Sequence, residues 1–182
     1  MEAVVRYVTL CDGVVYGEYV RDTLRGEQPR NIDAWFPIRA DLITFVRMCP
    51  DVRNAEYRDY DDRFGVRVSF DAFSMDCIYG PGFSDFDFEC NTLALDQRGL
   101  SSLILEQHDI RGLMDIMLDV RNGVAKEIKA TPQSRVLMWS RGWTIQSKHL
   151  AARKIQNAFR WSMACPDYKM CRDRLLREFN SG

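Results

Sequence analysis

Chemistry in this chain can be built around Gly17 and Asp33. Val14, Val15 and Tyr16 form a short apolar run that ends in Gly17, Glu18 to Arg25 reads as a helix, Gly26 and Pro29 break it, and Ile32 to Phe36 reads as a second strand. The order strand, glycine turn, helix, strand brings the backbone N–H groups of a helix N-terminus beside a carboxylate on a neighbouring strand. Such an arrangement can hold a triphosphate together with Mg²⁺. Farther along, Val66 to Tyr79 alternates as two strands, with Val66, Val68 and Phe70 sharing one face and Ser74, Asp76 and Ile78 another. A carboxylate inside an apolar strand is unfavourable unless it is paired or binds a cation. Asp76 is therefore the candidate for another metal-side carboxylate, with Asp71 as the alternative.

The remaining elements follow from periodicity. Residues 4 to 8 suit an edge strand or a short helix. Ile38 to Met48 is amphipathic, with apolar residues at 42, 43, 45 and 46, and Pro50 ends it. Residues 51 to 64 are dense in Asp, Arg and Tyr and read as a loop. Asp109 to Arg121 predicts a helix whose stripe is Ile110, Leu113, Met114, Met117 and Val120, stopped by Asn122-Gly123. After Ser147, Leu150, Ala151, Ile155, Ala158, Phe159 and Met163 recur at helical spacing, and Tyr168, Cys171, Leu175 and Phe179 do so after a Cys-Pro-Asp joint. The chain is thus expected to be α+β: a small mixed sheet bearing Asp33 and Asp76 over residues 1–145, then a basic helical hairpin over 146–182.

The opening stretch GEYVRDTLRGEQPRNID resembles the head domain of class II tRNA nucleotidyltransferases and bacterial-type poly(A) polymerases. That family carries GGxVRD followed eight residues later by DxD. Gly17, Val20, Arg21, Asp22 and Asp33 match in register, while Glu18 replaces the second glycine and Asn31 the first aspartate. A second stretch, DFDFECNTLALD, is similar to the family's RRDFTINALAYD through Asp87, Phe88, Asn91, Leu93 and Asp96, with both arginines replaced by Asp85 and Phe86. The resemblance implies that Gly17, Glu18, Arg21, Asp22, Asp87 and Asn91 surround a nucleoside triphosphate. It also implies that Asn31, Asp33 and Asp76 hold Mg²⁺, with Asp33 and Asp76 catalytic. On a helix, Asp87 and Asn91 would present a carboxylate and an amide on one face, suited to a ribose or a base. More loosely, Arg135 to Ile145 resembles the helix that follows the head in these enzymes. The tail, through PDYKMCRDRLLREF, and the layout as a whole are similar to proteins of giant DNA viruses.

The two replacements bear on activity. Nucleotidyl transfer relies on carboxylates that hold two Mg²⁺ ions, and Asn31 supplies an oxygen but no charge. A carboxylate at Glu18 about 4 Å from a phosphate would repel it by up to ~4 kcal/mol at an effective dielectric near 20. Glu18 either points into the site and replaces the charge missing at Asn31, or faces solvent as a first-turn acid stabilised by the helix dipole. These considerations favour a nucleotidyltransferase-fold protein with impaired catalysis that retains nucleotide or nucleic-acid binding or a structural role. The alternative is an active minimal Mg²⁺-dependent enzyme adding a nucleotide to an RNA 3′-end or another hydroxyl.

Composition narrows the remaining classes. The 182 residues are 46% apolar and 28% charged, and no apolar run is long enough to span a bilayer. The N-terminus has an early acid and no cleavage-site pattern, so a soluble, intracellular protein is expected, in host cytoplasm or virion if viral. Six cysteines without a CxxC pair read as buried thiols, and His108 and His149 alone give little material for a histidine metal site or triad. The net charge of −1 conceals an acidic head and a tail, from Ala125 onward, with twelve Lys/Arg against four Asp/Glu. A basic tail suits RNA or a protein partner, or the acidic domain itself. Ile155 to Arg160 looks like the first half of a calmodulin-binding IQ motif, with Trp161 where glycine is usual. That resemblance implies an EF-hand partner; the other reading is a helix packed on its own domain.

Overall fold

The computed structural model describes residues 1–60, 63–80, 86–103, 112–165 and 168–180. Two compact units divide the chain, residues 1–145 and 146–182. In the first, a seven-stranded mixed sheet has the order β3-β4-β5-β2-β1-β6-β7. Its strands are β1 (Val14–Tyr16), β2 (Ile32–Phe36), β3 (Asn54–Tyr60), β4 (Arg63–Ser69), β5 (Ser74–Tyr79), β6 (Leu93–Asp96) and β7 (Gly99–Ser102). Only β2 and β5 run parallel, and their register sets Asp33 directly beside Asp76. The fold is α+β, as the sequence pattern implies.

Alternation along β2 and β5 separates the two faces of the sheet. Ile32, Ala34, Phe36, Met75 and Cys77 are fully buried on one face, leaving Asp33 and Asp76 on the other. Against the apolar face lie α1 (Glu2–Leu10) and α3 (Arg39–Met48), through Val8 and through Leu42 and Phe45. The Phe36 and Phe45 rings meet at 5.6 Å. A Cβ on Gly13 would lie 2.6 Å from the Phe36 ring and 2.7 Å from Val8, so only glycine lets the chain turn into β1 there. Fully burying side chains such as Phe36 and Phe45 contributes about 1.5–3 kcal/mol each, which fixes the sheet that carries the polar face.

Several sequence expectations need correction. Residues 2–10 form a helix, which settles the choice left open for residues 4 to 8. The stretch 51–64 is largely strand rather than loop: β3 pairs antiparallel with β4 from Asn54 opposite Ser69 to Tyr60 opposite Arg63. Its apolar alternation is missing because β3 is the sheet edge, and Asn54 to Arg58 are all exposed. The helix expected over 109–121 is seen as α4 (Leu113–Arg121), its first positions lying outside the described residues. Its inward stripe is Leu113, Ile116, Met117 and Val120, whereas Met114 is 74% exposed. Lastly, α5 spans Pro132–Ser140 and stops short of Ile145, because Gly142 takes a positive φ and the chain enters a strand at Thr144.

In the second unit, α6 (Lys148–Ala164) and α7 (Lys169–Asn180) are the two helices that the spacing predicts. The Trp161 and Tyr168 rings meet edge to face at 5.3 Å between them. Pro166 and Asp167, in the joint, lie outside the described residues.

Candidate functional site

The polar face of the sheet opens into a cleft of about 460 Å³. Its floor comes from β1, β2 and β5, and its walls from α2 (Glu18–Arg25), the segment 86–91 and α5. Gly17 caps α2 with φ 71° and ψ −130°, a backbone conformation that a side chain strains. The sharp turn sends α2 away from β1 directly over Asp33. A Cβ on Gly17 would stand 3.6 Å from the Asp33 Oδ2.

Every charged group on the floor is tied to a partner. Asp33 accepts a hydrogen bond at Oδ1 from the Asn31 side-chain amide at 3.0 Å. Burial pushes the Asp33 carboxyl up to about 6, with the charges of Asp76 and Glu18 adding to the rise and the Asn31 amide and Arg21 opposing it. Asp76 receives both ends of the Arg67 guanidinium, Nε at 2.8 Å and Nη2 at 2.7 Å. Arg67 stands opposite Asp76 in the β4–β5 register, so strand pairing itself delivers this fork-to-carboxylate contact. Asp71, the alternative to Asp76, is exposed and bound to Arg53 at 2.8 and 2.9 Å, and it does not line the cleft.

The wall opposite is arranged around Arg21, which is 3% exposed. Its Nε donates to Asp22 at 2.7 Å and its Nη1 to the Asn91 side-chain oxygen at 2.8 Å. Asp22 is buried with it and lies outside the cleft lining. The rings and cations continue outward: the guanidinium carbons of Arg21 and Arg25 lie 5.2 and 4.6 Å from the Trp143 ring centroid. Glu18 faces inward, not to solvent, and receives Arg141 Nη1 at 2.6 Å and the Arg30 backbone N–H at 3.3 Å. Arg141 is placed by α5, whose start is fixed by Pro132 and a capping box between Thr131 and Ser134. Three buried donors on this wall, Arg21 Nη2, Arg141 Nε and Trp143 Nε1, have no hydrogen-bond partner among the described residues.

Asp87 and Asn91 both line the cleft, but not from one helical face. Phe88 is extended, bridged to Glu127 and fully buried, and only Glu89–Thr92 closes into a 3-10 turn. Burial of Phe88 overrides the helical spacing. Phe86 packs edge to face on Tyr16 at 6.4 Å, while Asp85 lies outside the described residues. Sequence reasoning missed Arg67 and Arg141. Alternation with Val66 and Val68 marks Arg67 as facing the Asp76 side of the sheet, whereas nothing local joins Arg141 to Glu18 across 123 positions.

The donor set does not fit a two-Mg²⁺ centre. Both Asp76 oxygens are engaged by Arg67, and the Asn31 amide turns its N–H, not its oxygen, to Asp33. Among the described residues no three His, Cys, Asp or Glu side chains group as metal ligands.

No protein-family profile and no curated protein matches the sequence. Solved structures share the fold. The Thermotoga maritima CCA-adding enzyme complexed with tRNA aligns over 81% of this chain and 38% of its own, at 16% identity and a TM-score of 0.54. A CCA-adding enzyme with CTP aligns over 80% and 40%, at 15% identity and a TM-score of 0.51. An apo form of a CCA-adding enzyme aligns over 87% and 43%, at 14% identity and a TM-score of 0.52. The chain thus spans about two-fifths of the length of these enzymes. At such identities the likeness is one of fold. No helix among the described residues is long and apolar enough to cross a membrane.

Proposed function

We propose that residues 1–145 are a nucleotidyltransferase-type head that binds nucleotide in the Asp33–Asp76 cleft and has lost efficient nucleotidyl transfer. The observation that carries this reading is the bidentate Arg67–Asp76 pair beside Asp33, because it neutralises within the protein the carboxylate that a metal-dependent transfer needs free. A cation entering there would have to displace a charge-assisted fork, roughly twice as strong as a neutral hydrogen bond. Binding is supported from the other wall, where Arg21 and Arg141 line a cleft large enough for a nucleotide. In this reading Gly17, Arg21, Asn91 and Asp87 shape the pocket and Asp22 holds Arg21 from beneath. The basic unit over 146–182 is the proposed contact for RNA: its helix α6 carries Lys148, Arg153, Lys154 and Arg160 and no acidic residue.

The test is calorimetric titration of adenine and cytosine nucleotides into the whole chain, once with Mg²⁺ and once with a chelator. Binding that survives the chelator is the expected result, and Arg21→Met abolishes it. Binding seen only with Mg²⁺ contradicts the proposal.

A further inference from the structure

The outer edge of the sheet, β3, lacks the features that keep edge strands apart. It is seven residues long, contains no Pro, Gly or Lys, and exposes Asn54 to Arg58, with Tyr57 72% exposed. Edge strands are commonly shortened, bulged or given proline or lysine, because an open row of backbone N–H and C=O groups pairs with another chain. The opposite edge follows that rule, since β7 is four residues long.

Hydrogen-bond parity fixes which backbone groups of β3 face outward. The Phe70 N–H donates to the Phe73 carbonyl at 2.8 Å and continues the β4–β5 register, so Val68 and Val66 also bond towards β5, leaving Ser69, Arg67 and Gly65 to bond towards β3. The Arg53 N–H, which donates to the Ser69 carbonyl at 2.9 Å, agrees with this. Across the β3–β4 register Asn54, Glu56, Arg58 and Tyr60 are therefore bonded to β4. Ala55, Tyr57 and Asp59 turn their N–H and C=O outward, where no described strand meets them.

This edge is complementary to itself. When a second copy pairs antiparallel about a two-fold axis at Tyr57, Tyr57 exchanges both backbone bonds with its counterpart, and Ala55 does so with the second copy's Asp59. Glu56 then stands directly opposite the second copy's Arg58 on one face of the joined sheet, and Arg58 opposite its Glu56. Within one chain this acid and base meet only as an exposed pair at 3.5 Å. A slip of two residues, the smallest that keeps the hydrogen-bond parity, sets Glu56 against Glu56 or Arg58 against Arg58. We infer that β3 is a homodimerisation edge, at which a second copy of this chain adds its own β3 antiparallel, centred on Tyr57, and joins the two seven-stranded sheets into one. The contact is isologous, so it closes at two chains.

The experiment is sedimentation equilibrium of the whole chain over about 1 to 100 µM, for wild type, Tyr57→Pro and Arg58→Glu. Tyr57→Pro removes an outward N–H and no bond to β4, so the single chain keeps its fold, read by circular dichroism. Arg58→Glu sets an acid opposite the second copy's Glu56, while its neighbour within the chain, across the register with β4, is Gly65. Wild type dimerises in this range, and each variant weakens the dimer about tenfold or more. A wild type that stays monomeric to the top of the range overturns the inference, as does a dimer left equally tight by Arg58→Glu or by a folded Tyr57→Pro. Should Tyr57→Pro lose its fold, Arg58→Glu decides alone.

Discussion

The floor and the wall of the cleft handle charge in opposite ways. On the floor, strand register pairs Asp76 with Arg67, and the Asn31 amide is turned onto Asp33, so charge is answered inside the protein. On the wall, Arg21 is locked by Asp22 and Asn91, yet its buried Nη2 has no partner among the described residues, nor has the buried Nε of Arg141. Buried donors without acceptors are unfavourable by about 1–3 kcal/mol each, so the wall carries an unmet polar demand. A floor that is already satisfied has no such demand. On the proposed reading, the contrast separates holding a ligand, on the wall, from transforming it, on the floor.

The largest effect should come from breaking the wall. Arg21→Met leaves Asp22, 5% exposed, as a buried carboxylate without its partner, and the expected loss is about 3–5 kcal/mol of unfolding free energy by urea titration. A loss under about 1 kcal/mol would mean that the wall is not held by this pair.

The floor should respond in the other direction. Asp33 holds its proton to about 6 when folded, against an ordinary value of 3.8. Between those values the folded state binds more protons than the unfolded one, so stability falls as pH rises, and the ionised carboxyl remains unfavourable above 6. Asp33→Asn removes that penalty. The variant should gain on the order of 3 kcal/mol at pH 8 and nothing at pH 3, read from thermal unfolding across the range. A gain independent of pH would show that burial and the neighbouring charges of Asp76 and Glu18 do not raise the Asp33 carboxyl.

A third substitution calibrates both. Asp71 sits in an exposed pair with Arg53, away from the cleft. Asp71→Asn should leave melting and nucleotide binding unchanged, and a change in binding would redraw the boundary of the site.

Much of this arrangement was legible in the sequence, for physical reasons that differ by region. Apolar alternation at Ile32, Ala34 and Phe36 exposed Asp33 as the residue on the other face, and Gly17 announced the turn above it. Edge strand β3 was hidden because an exposed strand has no burial to pattern its side chains. The 3-10 turn at Glu89–Thr92 was hidden because the core claims Phe88, which the spacing of Asp87 and Asn91 does not reveal. Glu18 was visible as a departure from glycine, but its partner Arg141 arrives from α5 and has no local signature.

The most direct measurement is a primer-extension gel with pooled RNA 3′-ends, labelled nucleoside triphosphates and Mg²⁺ or Mn²⁺, comparing wild type with Asp33→Ala. The account predicts no extension by wild type from a preparation that binds mononucleotide by calorimetry. Extension that Asp33→Ala abolishes would contradict it, and would mean that Arg67 yields Asp76 to a metal during turnover.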